Sequence, residues 1–268
     1  MKKAILVCIT VLAVCLTACD KFGTKVFVSN YSEGIALNSN EKTIDLVNHF
    51  KKRAGAPETM TVTVEGETVT GNYTESSNSA FYNCDYDEYS FKSEDGTLYV
   101  FGINQSTGNL VRFGKYNGDS HTYGSELSRD ECYEKALTYL KKYVGENYEF
   151  AEETSRELGT MNPVRTFTFA RKINGIKTAA KADIHVYSDG ELLGFWACLV
   201  PSMDGIEEIS VDSEKNERLI SEKILEIDKN ADYKIKDSTL YRLKDGRFGT
   251  DYEISVGNHE GLWLFVFN

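Results

Sequence analysis

The chain has 268 residues, of which 41 are Asp or Glu and 30 are Lys or Arg, so its formal net charge is −11. An acidic surface repels nucleic acid and anionic lipid head groups, which argues against both as partners. The length is sufficient for one elongated domain or for two to three small domains, each with its own core.

The amino-terminal segment has the layout of an export signal. Lys2 and Lys3 precede an apolar run over 4–16, which is shorter than the ~20 residues that a membrane-spanning helix needs. The next residues complete a Leu-Thr-Ala-Cys motif at 16–19, which resembles the lipobox of bacterial lipoproteins. The resemblance implies that residues 1–18 are a signal peptide and that Cys19 is lipidated. The mature protein is then expected on the extracytoplasmic face of the cell membrane, anchored through lipid on Cys19.

The region after the anchor is predicted to be a tether followed by a first folded module. Residues 19–40 have few periodic apolar positions and are predicted to be the tether. The spacing of the apolar residues over 41–53 predicts a helix. Strand-like runs follow at 60–64, 67–72, 89–92, 97–103 and 109–113. Turns are predicted at Asp95-Gly96 and Thr107-Gly108. Residues 41–126 are therefore predicted to form the first module.

Two further segments repeat the order of a helix followed by strands. A helix over 129–144 is predicted to begin at a capping box of Ser128 and Glu131, and its module is expected to span 127–206. A helix over 214–227 begins the third module, 207–268. Turns at Asn174-Gly175, Asp189-Gly190 and Asp245-Gly246 separate predicted strands at 166–171, 182–187, 192–199, 233–235, 239–243, 252–256 and 262–267. The pattern predicts an α+β fold of about three repeated modules, each with one helix packed on an antiparallel sheet.

Three cysteines besides Cys19 remain in the predicted mature chain, namely Cys84, Cys132 and Cys198. None has the paired spacing that zinc or redox sites use. One disulfide with one free thiol and three buried thiols are both compatible with the sequence.

The second module carries the resemblance to a known family. Its strand Phe-Thr-Phe-Ala-Arg-Lys-Ile over 167–173, the Asn-Gly turn, the strand over 182–187 and Trp196 are similar to PepSY and YcdB/YcdC-like modules of secreted bacterial proteins. The resemblance extends less strongly to 41–113 and 207–268. It implies an extracytoplasmic module that regulates peptidases or takes part in envelope processes. No peptidase motif accompanies it in this chain.

Several short motifs suggest catalysis or metal binding but lack the partners that the chemistry requires. The motif at 119–121 and the one at 257–260 resemble metal-binding motifs of metallophosphoesterases, but no bridging aspartate motif lies between them. The Gly-Asp-Ser motif at 118–120 lacks an acid three residues before His185 or His259 to form an esterase triad. The acidic segment 228–232 lacks the glycine and glutamate of a calcium loop. We therefore predict no catalytic residue, no metal site and no cofactor.

The sequence favours a lipid-anchored module that binds or regulates a protein or peptide of the cell envelope and is not an enzyme. Two other functions remain open. One is a lipoprotein that presents a small molecule or glycan at the cell surface, which would need a deep aromatic-lined pocket. The other is a hydrolase with scattered catalytic residues, which would need a cleft with a histidine or paired carboxylates.

Overall fold

The computed structural model describes residues 28–30, 49–78, 83–116, 124–156, 164–227, 229–256 and 259–267. These residues fall into two compact units. The large unit comprises the described residues within 45–209 and 240–247, and the small unit comprises those within 1–44, 210–239 and 248–268. The predicted signal peptide, Cys19 and nearly all of the predicted tether lie outside the described residues.

The large unit contains two antiparallel meanders on either side of one helix. The first meander consists of β2 (His49–Lys51), β3 (Thr59–Val64), β4 (Glu67–Asn78), β5 (Tyr86–Lys92), β6 (Leu98–Asn104) and β7 (Leu110–Tyr116). Helix α1 (Arg129–Tyr143) follows. The second meander consists of β8 (Glu149–Arg156), β9 (Val164–Ile173), β10 (Ile176–Val186) and β11 (Leu192–Trp196), and a 3-10 turn at Val200–Met203 comes after it.

The two meanders are parts of one continuous sheet. Strand β11 pairs antiparallel with β7, so that Phe195 lies opposite Phe113 and Trp196 lies opposite Arg112. The strand order is β4–β5–β6–β7–β11–β10–β9–β8, with β2 and β3 both paired to β4. The predicted fold of repeated helix-on-sheet modules is therefore wrong: the first two predicted modules share a single, mostly antiparallel sheet and, over their described residues, one α-helix.

The first predicted helix shows why the predicted repeat is wrong. Residues 41–48 of the predicted helix lie outside the described residues, but His49–Lys51 form strand β2. Phe50 lies opposite Ser77 of β4 and is exposed, so it does not contribute to a helix face that packs on a core. Four apolar residues at helical spacing are a weak signal, and pairing with an existing strand overrides it.

The core of the large unit is a row of cross-strand neighbours on one face of the sheet. The row is almost entirely aromatic and buried, and consists of Tyr89, Phe101, Phe113, Phe195, Ile184 and Phe167. Helix α1 covers its second half, where the Tyr143 ring stacks on Phe195 and the Tyr133 ring meets Phe167 edge-on. Burial of such large apolar rings is the main force that holds helix and sheet together.

The predicted helix start and turns are confirmed. Ser128 and Glu131 form the capping box, in which the Ser128 hydroxyl accepts from the Glu131 amide and the Glu131 carboxylate accepts from the Ser128 amide. The glycines of the five predicted turns all adopt positive φ, where a side chain would be strained, and are Gly96, Gly108, Gly175, Gly190 and Gly246.

The small unit contains α2 (Ser213–Ile227) and the strands β1 (Val28–Asn30), β13 (Phe248–Val256) and β14 (His259–Phe267). It also contains most of β12 (Tyr233–Arg242), whose last three residues belong to the large unit. Strands β13 and β14 are antiparallel, and β1 pairs with β14 in parallel. Buried Ile220 and Ile224 of α2 pack against Tyr252 and Ile254 of β13. The predicted third helix is therefore present, with a small core of its own.

Candidate functional site

Arg112 and Trp196 lie on the face of the large sheet that is opposite helix α1, which we call the open face. Successive side chains of a strand point to opposite faces, so Arg112 and Trp196 lie on the other side from Phe113 and Phe195. Two aromatic residues of this face are well exposed, Trp196 at 41% and Tyr116 at 45%. Because both rings line one cavity on this face, they mark a candidate contact surface.

Two adjoining cavities on the open face form a cleft, and Trp196 lines both of them. The first cavity, lobe 1, has a volume of about 190 Å³ and is lined by Arg112, Phe113, Tyr116, Val164, Thr166, His185, Leu193, Gly194, Phe195 and Trp196. The second cavity, lobe 2, has a volume of about 180 Å³ and is lined by Ala179, Lys181, Asp183, Trp196, Cys198, Leu199 and Tyr241. The Trp196 indole therefore separates two pockets, each smaller than the ~300 Å³ lower end of drug-sized sites.

The Trp196 ring is held in place by a cation. The Arg112 guanidinium lies 4.8 Å from the ring centroid, and its Nη1 donates to the Glu88 carboxylate of β5. Burial works against the charge of Arg112, but Glu88, Tyr86 and Tyr116 together outweigh this effect and raise the pKa of Arg112, so the side chain stays cationic. An arginine fixed by both a ring and a carboxylate loses little further entropy when it meets a ligand.

The floor of lobe 1 requires glycine. Gly194 of β11 lies opposite Gly114 of β7, and a Cβ atom on Gly194 would collide with the Phe113 carbonyl oxygen. The Tyr116 ring lies over Gly114, where a Cβ atom would be only 2.7 Å from it. Glycine inside a strand often marks a place where another group approaches the backbone closely. In this sheet the two glycines leave room for lobe 1 and for the Tyr116 ring.

Strand β10 supplies polar groups to the two lobes at alternate positions. His185 lines lobe 1, where its Nδ1 is hydrogen-bonded to the Thr166 hydroxyl at 2.8 Å. Asp183 lines lobe 2 and accepts from the Thr168 hydroxyl at 2.7 Å. The neighbouring strand β9 thus orients both side chains, and the cleft presents hydrogen-bonding groups in fixed positions.

The candidate residues from the sequence are only partly placed. Cys19, the motif at 119–121 and Gly257-Asn258 lie outside the described residues, and His259 is described in its backbone alone. His185 is the one histidine whose side chain the structure describes, and it lies in the cleft. Within the described parts of the chain, no three His, Cys, Asp or Glu side chains are grouped to hold a metal ion. No helix in those same parts is long and apolar enough to span a membrane.

Cys84, Cys132 and Cys198 form no disulfide with one another, and all three are buried. This arrangement corresponds to the second of the two alternatives left open by the sequence. Burial raises the pKa of Cys198 well above its usual range, and it also raises the pKa of Cys132. The three thiols therefore behave as small apolar residues of the core.

Several cleft residues were not predicted from the sequence. Aromatic residues are dense around the β5–β6 hairpin, but Tyr86, Tyr89 and Phe101 are buried in the sheet. The exposed rings of the cleft are Tyr116 and Trp196 at the ends of two strands. Two glycines inside otherwise apolar strands are a signal for this site, since such glycines often mark a close approach to the backbone.

The fold and cleft together define a class of protein: an antiparallel sheet backed by a helix, with an aromatic cleft on the opposite face. The chain belongs to the family of the YcdB, YcdC repeated domain, whose model matches residues 50–196, more than half of the chain. The resemblance to YcdB/YcdC-like modules predicted from the sequence is thereby confirmed.

Among solved structures, the chain is similar to the Bacillus megaterium YpeB C-terminal domain. The identity is 16%, the TM-score is 0.37, and the match covers 65% of this chain and 75% of that chain. A likeness at this level supports no conclusion about fold or function. Among curated proteins, none matches significantly.

Proposed function

We propose that the protein is a lipid-anchored, extracytoplasmic module that binds a protein or peptide of the cell envelope through the cleft on its open face. The observation that carries this proposal is the arrangement of Trp196, Tyr116 and Arg112 around the two lobes. Tryptophan, tyrosine and arginine are the residues that contribute most to binding energy in protein interfaces. The anchor is motivated by the motif at 16–19.

The size of the lobes favours a protein or peptide over a small molecule presented to a transporter. Cavities of about 190 and 180 Å³ accommodate single side chains, whereas a carrier pocket encloses most of its ligand. The lobes are also arranged side by side along the sheet, so that a chain segment can occupy both at once. Regulation of a peptidase is one form that such binding would take.

A site-specific photocrosslinker tests the binding surface in living cells. Replacing Tyr116 by a photoreactive phenylalanine is expected to yield a discrete crosslinked product, because the residue lies beside lobe 1. The same replacement at Thr138, exposed on helix α1, serves as the matched control. The Tyr116 product should disappear when Trp196→Ala is added. Products of equal yield at both positions, or none at either, would contradict the proposal.

The anchor is tested separately by intact mass and membrane fractionation. Wild type is expected to carry lipid and to sediment with membranes, whereas Cys19→Ala is expected to lose both properties. If both proteins are unlipidated and released, the anchoring part of the proposal is wrong and the search for partners moves to the medium.

A further inference from the structure

Lobe 1 is lined by polar and charged side chains of which none is a carboxylate. They are Arg112, Tyr116, Thr166 and His185. The chain as a whole has 41 acidic and 30 basic residues, so a cavity without an acidic lining residue differs from the average surface of the protein. Lobe 2 adds Lys181 and Asp183, whose formal charges cancel. The residues that line the cleft therefore have a positive formal charge, from Arg112, on a chain with a net charge of −11.

The strand register places these polar groups around the glycine floor of lobe 1. Gly114, Gly194 and His185 are cross-strand neighbours on β7, β11 and β10. The Tyr116 hydroxyl lies over Gly114, 2.7 Å from the position that a Cβ atom would have there. Neighbouring strands are about 4.8 Å apart, so the Tyr116 hydroxyl and the His185 ring are on either side of Gly194. Arg112 is two positions before Gly114 on β7, and alternate residues of a strand share a face.

The ion pair with Glu88 leaves Arg112 able to bind a second carboxylate. A guanidinium has five N–H donors, and Glu88 accepts from Nη1 of Arg112. Glu88 pairs with Gly102 on β6, and Gly102 pairs with Arg112, so Glu88 approaches from the side of β6 and not from the strand that carries Trp196. Glu88 lines neither lobe. The other N–H donors of Arg112 are sufficient for a carboxylate on the side of lobe 1.

The rest of lobe 1 is apolar, with Val164, Leu193 and Trp196 among its walls. A group that fills lobe 1 therefore needs a carboxylate for the donors and an apolar part for these walls. The last residue of a peptide carries a carboxylate and a side chain on the same Cα atom, whereas an internal acidic side chain has only a short methylene stem. A phosphate group, with about −1.5 to −2 charge, would need more than the single fixed cation of Arg112.

We infer that lobe 1 binds the carboxyl terminus of a peptide or protein whose last residue is apolar or aromatic. Arg112 and Tyr116 donate to the terminal carboxylate beside His185, and the last side chain packs against Trp196. The inference rests on the proposed function and names the end of the partner that the cleft recognises. The juxtaposition that carries it is a cation, a phenol and an imidazole around an apolar cavity that no acidic side chain lines.

The fluorescence of Trp196 provides a direct measurement. The chain has two tryptophans, so Trp263→Phe leaves Trp196 as the single reporter inside the cleft. The probes are three acetylated peptides of glycine and serine that each contain one phenylalanine. The first ends in phenylalanine with a free carboxylate, and the second has the same sequence but ends in a carboxamide. The third has phenylalanine beside an aspartate in the middle of the chain and ends in a carboxamide, so it has the same charge as the first.

The peptide with the free carboxylate is expected to bind about tenfold more tightly than either of the others, because its hydrogen bonds are to a charged group. Tyr116→Phe, which removes only a hydroxyl from an exposed residue, should reduce this preference. Tyr99→Phe is the matched control: it removes a hydroxyl that donates to Glu67 outside the cleft and should leave the preference unchanged. Glu88→Gln should increase the preference, because Arg112 then no longer shares its charge with a carboxylate of the protein.

Equal affinity of the free-acid and carboxamide peptides would overturn the inference, and so would equal affinity of the peptide with the internal aspartate. A preference that is unchanged when Arg112→Gln and Glu88→Gln are combined, so that two amides replace the ion pair, would also overturn it. If no peptide binds but Tyr116 crosslinks a partner in cells, the inference is wrong and the proposed function stands; if both fail, the proposed function is wrong.

Discussion

The buried carboxylate of Asp87 is expected to stabilise the large unit, so removal of its negative charge should destabilise that unit. Its side chain is buried, with 4% exposure of the residue, and its Oδ1 accepts from Arg53 Nε at 3.1 Å, Ser76 Oγ at 2.7 Å and Gln105 Nε2 at 3.1 Å. Arg53 Nη2 donates to Oδ2. The carboxylate thus joins the start of the first meander to β4 and to the turn after β6.

We expect Asp87→Asn to lower the free energy of unfolding by about 2–3 kcal/mol. Hydrogen bonds to a charged group contribute about 1.5–3 kcal/mol each, but the amide retains part of the geometry. The cost stays below the ~3–5 kcal/mol of a broken fully buried ion pair, because the Arg53 side chain is 36% exposed and can reach water. With an m-value of about 2 kcal/mol/M, the urea midpoint should fall by about 1 M or slightly more.

Asp85→Asn is the matched control, two residues away. Asp85 accepts from Lys244 Nζ at 2.6 Å, but both side chains are partly exposed, so the same chemical change should cost under about 1 kcal/mol. Urea unfolding followed by Trp196 fluorescence in the Trp263→Phe protein reports the unit that contains both aspartates. Equal losses at 85 and 87 would refute the argument that the buried network of Asp87 is responsible.

The pH dependence has a defined sign. Burial alone would raise the pKa of Asp87, but the hydrogen bonds and charge of Arg53 and the Ser76 hydroxyl outweigh it, and the pKa is lowered. Such a group stabilises the fold above its unfolded pKa of about 4, and this contribution is lost as the pH falls through the lower folded value. The difference between wild type and Asp87→Asn should therefore be largest near pH 7 and should shrink below about pH 4. A difference that grows on acidification would contradict the assignment.

Other parts of the large unit lead to three further expected results. Gly194→Ala should lower the free energy of unfolding by about 3 kcal/mol, because its Cβ would meet the Phe113 carbonyl oxygen. Gly124→Ala is the control: its Cβ would lie 3.4 Å from the nearest neighbour, so the free energy of unfolding should change by under about 0.5 kcal/mol. Similar urea midpoints for the two variants would contradict this expectation. Ser128→Ala should cost about 1 kcal/mol in the same assay through loss of the cap. The Cys198 thiol should react with maleimide at pH 8 in urea but not in the folded protein, because burial raises its pKa; rapid labelling of the folded chain would contradict its burial.

Local features of this fold could be predicted from the sequence because they depend on neighbouring residues. The Ser128–Glu131 capping box and the glycine turns involve groups two to four positions apart, and both are present. The pairing of β7 with β11 is different, because Arg112 and Trp196 are 84 residues apart and nothing in either strand identifies the other. The repeated order of helix and strands therefore indicates separate modules when only the sequence is considered, whereas the first two share one sheet.

The contrast between contiguous motifs and contacts between distant residues also explains which functional residues could be predicted. An export signal and a lipobox are contiguous motifs, so Cys19 could be proposed from sequence alone. The cleft requires β7, β9, β10 and β11 together, and its residues have ordinary strand-forming identities until the strands are paired. From the sequence, His185 could be considered only as a catalytic base, and the acid that a triad needs is missing. Its role in the cleft could not be predicted, because its neighbours in space, Thr166 and Trp196, are not at a fixed spacing from it along the chain.

The range of the family match bears on how the two lobes are built. Every residue that lines lobe 1 lies within 50–196, so one copy of the repeated domain contains all of lobe 1. Lobe 2 also requires Cys198, Leu199 and Tyr241, which lie beyond the matched range. Lobe 1 can therefore be formed by the domain alone, whereas lobe 2 depends on residues that come after the domain in the chain. If the cleft binds a protein or peptide, lobe 1 belongs to the repeated domain, and substitutions at the half-buried Leu199 and Tyr241 would change lobe 2 without altering that domain.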